Sequence, residues 1–305
     1  MSHGASSLKS IFFALGANVS IAIAKFAAAF ISGSGSMMAE AIHSTADSAN
    51  QLLLLLGIKH AKTPPNQEYP LGYGKAIYFW SFIVAVMLFS IGGLFSIYEG
   101  YHKLHSTEQL EMPYIAIGVL IFSILAEGTS LLGALREVKK DLHGRNFRQW
   151  FKTTRKSDLL IVTGEDSAAI LGLLFALFAI TLTMITKNPV YDAIGSIVIG
   201  VLLVIIAILV GKQIMSLLIG SGAEAYKEKE YVETLESYED IEKILAIKTL
   251  QLGNDVMLAV KAQMRFFDSS TKMIESINKI EADMKKKFPE IMWSFFEPDN
   301  KDNDD

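Results

Sequence analysis

Three side chains able to hold a cation recur at offsets of three and four in MAEAIHSTADSANQLLLLLG: Glu40, His43 and Asp47. On a helix that spacing brings all three onto one face, yet the second half of the stretch is apolar enough for a bilayer. His43 and Asp47, one turn apart, can grip one ion together. Neutral imidazole plus carboxylate suits Zn²⁺ and its neighbours, which commonly take four ligands in a tetrahedron. Two ligands from one helix are insufficient, so a second helix must contribute. The candidate acids in other apolar runs are Glu127, Glu165 and Asp166. Ionisable groups inside a membrane span are expensive and are functional candidates by default. Two plainer readings stay open here. His43 and Asp47 could form a structural hydrogen bond, and one acid could pair with Lys25, almost the only base in the central parts of the runs.

The elements that must position these groups are long. A hydrocarbon core of about 30 Å takes roughly 20 residues of helix, and six runs qualify: about 10–31, 37–58, 77–99, 114–135, 159–185 and 190–219. Six in succession exceed what a soluble core buries, so the expected fold is an α-helical membrane protein with six transmembrane helices. No cleavable signal is evident in MSHGASSLKS, so the first span is expected to act as its own insertion signal. The 305 residues contain no cysteine, which excludes thiolate ligands. The connections between spans two and three (Lys59, Lys62, Lys75) and between spans four and five (Arg136 to Lys156) are basic. The turn 33–36 is uncharged, only Lys187 joins spans five and six, and His102, Lys103, His105, Glu108 and Glu111 fill the span three–four loop. Basic loops stay cytoplasmic, which puts both termini there.

After Gly220 the character changes: 12 Lys and Arg stand against 19 Asp and Glu, a net of −7. The patterning predicts a helix over 227–238, strands over 244–252 and 256–264 around Gly253-Asn254, an amphipathic helix over 273–288 and a strand over 291–296. The order αββαβ reads as a cytoplasmic α+β domain over 220–299, followed by a disordered acidic end at 300–305.

AEAIHSTADSANQ on span two, YPLGYGKAIYFWS at 69–81, YDAIGSIVIG opening span six and the tail sequence FFEPD resemble the cation diffusion facilitators, which export Zn²⁺ and related divalent ions, commonly against protons. The resemblance covers nearly the whole chain and implies a ferredoxin-like tail and a homodimer. The glutamates in EAIHS, AEGTSLL and EDSAAILG resemble a divergent branch of the zinc-transporting side. Carried over, the transport site is His43 and Asp47 with Asp166. The family's usual fourth ligand lies four residues before Asp166, and here that position is Val162. Glu165 is the expected auxiliary ligand, although an ideal helix rotates it by about 100° from Asp166; Glu40 and Glu127 are coupling or auxiliary candidates. Lys75 matches a lysine that ties spans to tail across a dimer, with Glu224 the nearest acid after span six. The tail lacks histidine, so a regulatory zinc site of the family type is not expected there.

The expected function is therefore secondary active export of a divalent cation, favouring Zn²⁺, from the cytoplasm in exchange for protons, with no prosthetic group and with membrane lipid as surroundings. A bacterial inner membrane is the expected location. The alternatives are a transporter of Mn²⁺, Fe²⁺ or Co²⁺ with the same fold, a channel, and a membrane-tethered metal sensor or scaffold. No motif suggests an enzyme or ATP-driven transport, and an acidic chain with one basic loop gives no support for nucleic-acid binding.

Overall fold

The computed structural model describes residues 3–105 and 109–301, with side chains from residue 15 on apart from Ala17. Glu108 and residues 302–305 of the acidic end lie outside the described residues. In chain order the helices are α1 (His3–Ser32), α2 (Gly35–Ala61), α3 (Ala76–Met87), a π-helical stretch (Leu88–Leu94) continuing into α4 (Phe95–Leu104), α5 (Pro113–Asp141), α6 (Phe147–Thr153), α7 (Ser157–Thr186) and α8 (Val190–Ile219). The tail adds α9 (Ala225–Glu236), β1 (Ile241–Leu252), β2 (Asp255–Met264), α10 (Ser270–Lys287) and β3 (Ile291–Pro298).

Four helical stretches, at 76–104, 113–141, 157–186 and 190–219, are each long and apolar enough to cross a bilayer, and the described part of α1 adds a shorter apolar stretch. The 27-residue α2 is as long as a span, but its polar stripe dilutes its hydropathy. Several helices overrun the expected spans. α5 continues to Asp141, so Arg136, Lys139 and Lys140, expected in a loop, lie on helix instead. Basic residues in a last helical turn meet its unpaired carbonyls favourably, which explains the overrun.

The bundle is packed inside out relative to a soluble protein. α2 buries Ala39, Ala41, Ser44 and Ala46 while Leu52 and Leu56 point outward, half-exposed. Phe122, Leu125 and Phe178 are likewise outward. Lipid rewards no segregation of leucine from the outside, so small residues that let backbones approach take the interior. Glycines show this most sharply between the third crossing and α8. A Cβ at Gly93 would meet Val204 Cγ2 at 2.7 Å, and one at Gly100 would meet the Ala193 carbonyl at 2.7 Å. The opening acid of YDAIGSIVIG positions α2. Asp192 is buried and accepts hydrogen bonds from Gly35 N (2.6 Å), Ser36 N (3.2 Å) and Ser34 Oγ (2.6 Å). It thereby caps the positive end of the helix that carries the stripe.

The chain divides by packing into two compact units. One holds the chain up to Gly57, Trp80–Trp150 and Ser157–Ile214; the other holds Ile58–Phe79, Phe151–Lys156 and the chain from Met215 on. In the second, β2 is central, antiparallel to β1 and parallel to β3. The predicted alternation holds: Val256, Leu258, Val260 and Ala262 are buried against Ile280, Met284 and Phe288 of the α10 side. Ser269 caps α10 by accepting from Lys272 N.

The stretch YPLGYGKAIY belongs to this second unit and docks on the β1–β2 turn. Tyr78 is fully buried; its hydroxyl donates to the Gly253 carbonyl and accepts from Gly253 N, both at 3.1 Å. Gly74 has no room for a Cβ, which would overlap the Leu252 carbonyl. Gly253 has φ +70°, a conformation that favours glycine. Overpacking a tight contact costs about 1–3 kcal/mol, so Gly74→Ala is expected to speed amide hydrogen exchange at residues 74–79 and 250–255 of the purified protein. Tyr78→Phe should do the same more weakly. Exchange unchanged in both variants would show that this docking contributes nothing.

Candidate metal centre

Because α1, α2 and α5 meet inside the first unit, Lys25, Glu40 and Glu127 share one buried network. Lys25 is completely buried, and its ammonium donates to Glu127 Oε1 (2.7 Å), Ser44 Oγ (2.7 Å) and Glu40 Oε2 (3.3 Å). The possible pairing of Lys25 with a single acid is thus too modest, for it holds two. Glu40, a coupling or auxiliary candidate by sequence, is taken up by this pair. Its other oxygen lies over Gly172, where a Cβ would collide with it. Gly172 on α7 is therefore a seat for the Glu40 carboxylate.

Beside this network lies a cavity of about 400 Å³ lined by Asp47 of α2, Glu127 of α5, and Val162, Glu165 and Asp166 of α7. Helix periodicity explains the α7 set: Val162 and Asp166 are one turn apart on one face. Glu165 still reaches the cavity from the neighbouring face, where Asn50 Nδ2 donates to its Oε1 at 2.6 Å. Ser130 Oγ donates to Asp166 Oδ2 at 2.9 Å. His43 is fully buried on the same stripe as Asp47, with Nδ1 3.5 Å from Asp47 Oδ1, the outer limit of a hydrogen bond. Both ring nitrogens and Asp47 Oδ1 have no protein hydrogen-bond partner. A Cβ at Gly92, in the π-helical stretch, would come 3.9 Å from His43 Nδ1, ordinary van der Waals contact, so this stretch passes beside the imidazole.

The residues singled out by type and spacing thus separate into two sets. Asp47, Glu165 and Asp166 reach one cavity, with His43 behind Asp47; Glu40 faces Lys25; Glu127 touches both. Among the described residues no three His, Asp or Glu side chains stand close enough to share an ion. Each α7 carboxylate instead takes its own donor. Lys75 is in the second unit, its Nζ beside Gly220. Glu224 accepts from the Arg155 backbone N–H at 3.1 Å. Two contributors escape a search for charge. Asn50 is fully buried on the Asp47 face of α2, and Ser130 sits on α5. Asn50 stands three residues after Asp47, so the same periodicity that groups Glu40, His43 and Asp47 was the signal for it.

Removing one partner of a buried ion pair leaves an uncompensated charge and costs about 3–5 kcal/mol. Lys25→Met should therefore lower the thermal unfolding temperature of the purified protein clearly. The triple variant Lys25→Met/Glu40→Gln/Glu127→Gln, which leaves no unpaired charge, should recover most of the loss. A single variant as stable as the parent would contradict the network's role in holding α1, α2 and α5 together.

Comparison with known proteins identifies the family. The profile of the cation efflux transmembrane domain matches residues 11–219. The protein named proton-coupled zinc antiporter SLC30A9, mitochondrial, from Mus musculus is 33% identical over 231 residues, 75% of this chain and 41% of its own length. Metal tolerance protein C4 from Arabidopsis thaliana is 32% identical over 249 residues, 81% of this chain and 54% of its own. Mitochondrial metal transporter 1 of Saccharomyces cerevisiae is 40% identical over 78 residues, 26% of this chain and 15% of its own. The chain thus spans about two fifths and about half the length of the first two. With the match running through all the long helices, this chain belongs to the cation efflux family of membrane proteins, the cation diffusion facilitators.

Proposed function

We propose that the protein exports a divalent metal cation, with Zn²⁺ the favoured ion, in exchange for protons. The observation that carries this reading is the cavity shared by Asp47 of one crossing with Glu165 and Asp166 of another, with a buried, unpartnered imidazole beside it. Such donors must be deprotonated to bind an ion, so metal and protons compete for them. A dication between buried carboxylates offsets their desolvation, and protons can do so on the return leg. The mouse relative's name, a proton-coupled zinc antiporter, supports the ion and the coupling. A second reading, Mn²⁺ or Fe²⁺ as cargo, has its own support: the cavity lining is oxygen-rich, and oxygen donors suit harder ions. A homodimer completes the reading, with both termini and the basic connections on the cytoplasmic side of a bacterial inner membrane.

Proteoliposomes loaded with a zinc-sensitive dye test it. Zn²⁺ uptake should saturate, rise when the lumen is made acidic, and fall to background in Asp47→Ala and in Asp166→Ala. Uptake indifferent to the pH gradient and to both substitutions would remove the exchanger. Mn²⁺ and Fe²⁺ competing better than unlabelled Zn²⁺ would select the second reading.

Orientation has its own measurement, because the chain has no cysteine of its own. An impermeant maleimide applied to intact bacterial spheroplasts should label Lys187→Cys and spare His143→Cys. The reverse pattern would invert the topology.

A further inference from the structure

Val162 leaves the ion cavity without a donor one turn before Asp166, and three acids compete to replace it. Glu40 does not line the cavity; Lys25 and Gly172 hold it elsewhere. Glu165 lines it, but its Oε1 already accepts the Asn50 amide at 2.6 Å. Glu127 differs from both. Its Oε1 is fixed by the Lys25 ammonium at 2.7 Å, while Oε2, like Oε1 of Glu40, is buried with no protein hydrogen-bond partner; unlike Glu40, Glu127 lines the cavity. An unpaired carboxylate oxygen away from water is costly to keep. This one belongs to a side chain lining the same cavity as Asp47, Val162 and Asp166. Asp47 Oδ1 and both nitrogens of the fully buried His43 are likewise unpartnered.

We infer that Glu127 of α5 is the fourth donor of the ion site, presented by Lys25, a positioning residue that clamps one carboxylate oxygen and leaves the other for the ion. The inference rests on the transport reading above and, because no three of these donors stand within reach of one ion in this arrangement, it requires them to draw together around the ion; the site is then a three-helix one. α2 brings His43 and Asp47, α7 brings Asp166, and α5 supplies what Val162 lacks. Glu165, hydrogen-bonded to Asn50, then keeps the loading face of α7 in register rather than binding the ion.

A rescue experiment on the full chain separates ligand from strut. Zn²⁺ transport by proteoliposomes and Zn²⁺ binding by the purified protein, followed by calorimetry, are measured together. Glu127→Gln should raise KM and Kd by about tenfold or more, with a much smaller change in kcat. Adding Val162→Asp, which restores a carboxylate to the vacant position in the same cavity, should bring both constants most of the way back. Lys25→Gln should weaken binding in the same direction, and Lys25→Arg should retain more of it. If Glu127→Gln does not accumulate, Glu127→Asp, which keeps a carboxylate for Lys25 but shortens its reach, carries the same measurement with and without Val162→Asp. An unchanged KM, or a loss that Val162→Asp leaves untouched while Asp47→Ala still abolishes transport, would reduce Glu127 to a counter-ion of Lys25 and leave the transport reading standing. Transport indifferent to Asp47→Ala would instead overturn that reading, and this inference with it.

Discussion

A carboxylate inside a bilayer must be neutralised, and five of them, Glu40, Asp47, Glu127, Glu165 and Asp166, share the interior of this bundle with one ammonium, that of Lys25. Much of the first unit's arrangement answers to that constraint. Lys25 reaches from α1 to Glu40 on α2 and Glu127 on α5, so one cation fastens three helices at a depth where the low dielectric makes the attraction strong. Glu165 and Asp166 receive neutral donors, Asn50 and Ser130, which stabilise a carboxylate without consuming its charge, whereas Asp47 Oδ1 has no protein hydrogen-bond partner.

The small residues follow from the same need. Polar side chains can meet only where helices approach closely, and close approach requires glycine, alanine and serine on the facing stripes. Gly172 gives Glu40 its seat, Gly92 lies beside His43 in the π-helical stretch, and Gly93, Gly100 and Gly200 press the third crossing against α8. π-helical insertions gather at functional sites because one extra residue re-aims a face without ending the helix.

The stripe of Glu40, His43 and Asp47, the long apolar runs and the αββαβ tail were legible because periodicity and charge are local properties of sequence. The order of elements in the tail and the burial of alternate β2 residues follow the pattern read from Val256 to Ala262. What periodicity could not convey is which acid meets which donor. Glu40 and Asp47 lie two turns apart on one helix face, yet one joins Lys25 and the other a cavity, a choice made by α1, α5 and α7. Asn50 and Ser130 carry no charge, so a search for charge passes over both, although Asn50 shares the spacing of the stripe. The π-helical stretch and α6 also left none: LFSIGGL composes an α-helix as readily, and FRQWFKT is a single short amphipathic turn buried only through Trp150.

The tail's lack of histidine changes what the second unit can contribute. The chain after Gly220 holds neither imidazole nor thiolate, the ligands that best suit a borderline metal. Its specific feature is mechanical. Tyr78 and Gly74 lock the segment leading into α3 onto the β1–β2 turn, and that segment continues without a break into the crossing whose π-helical stretch passes beside His43.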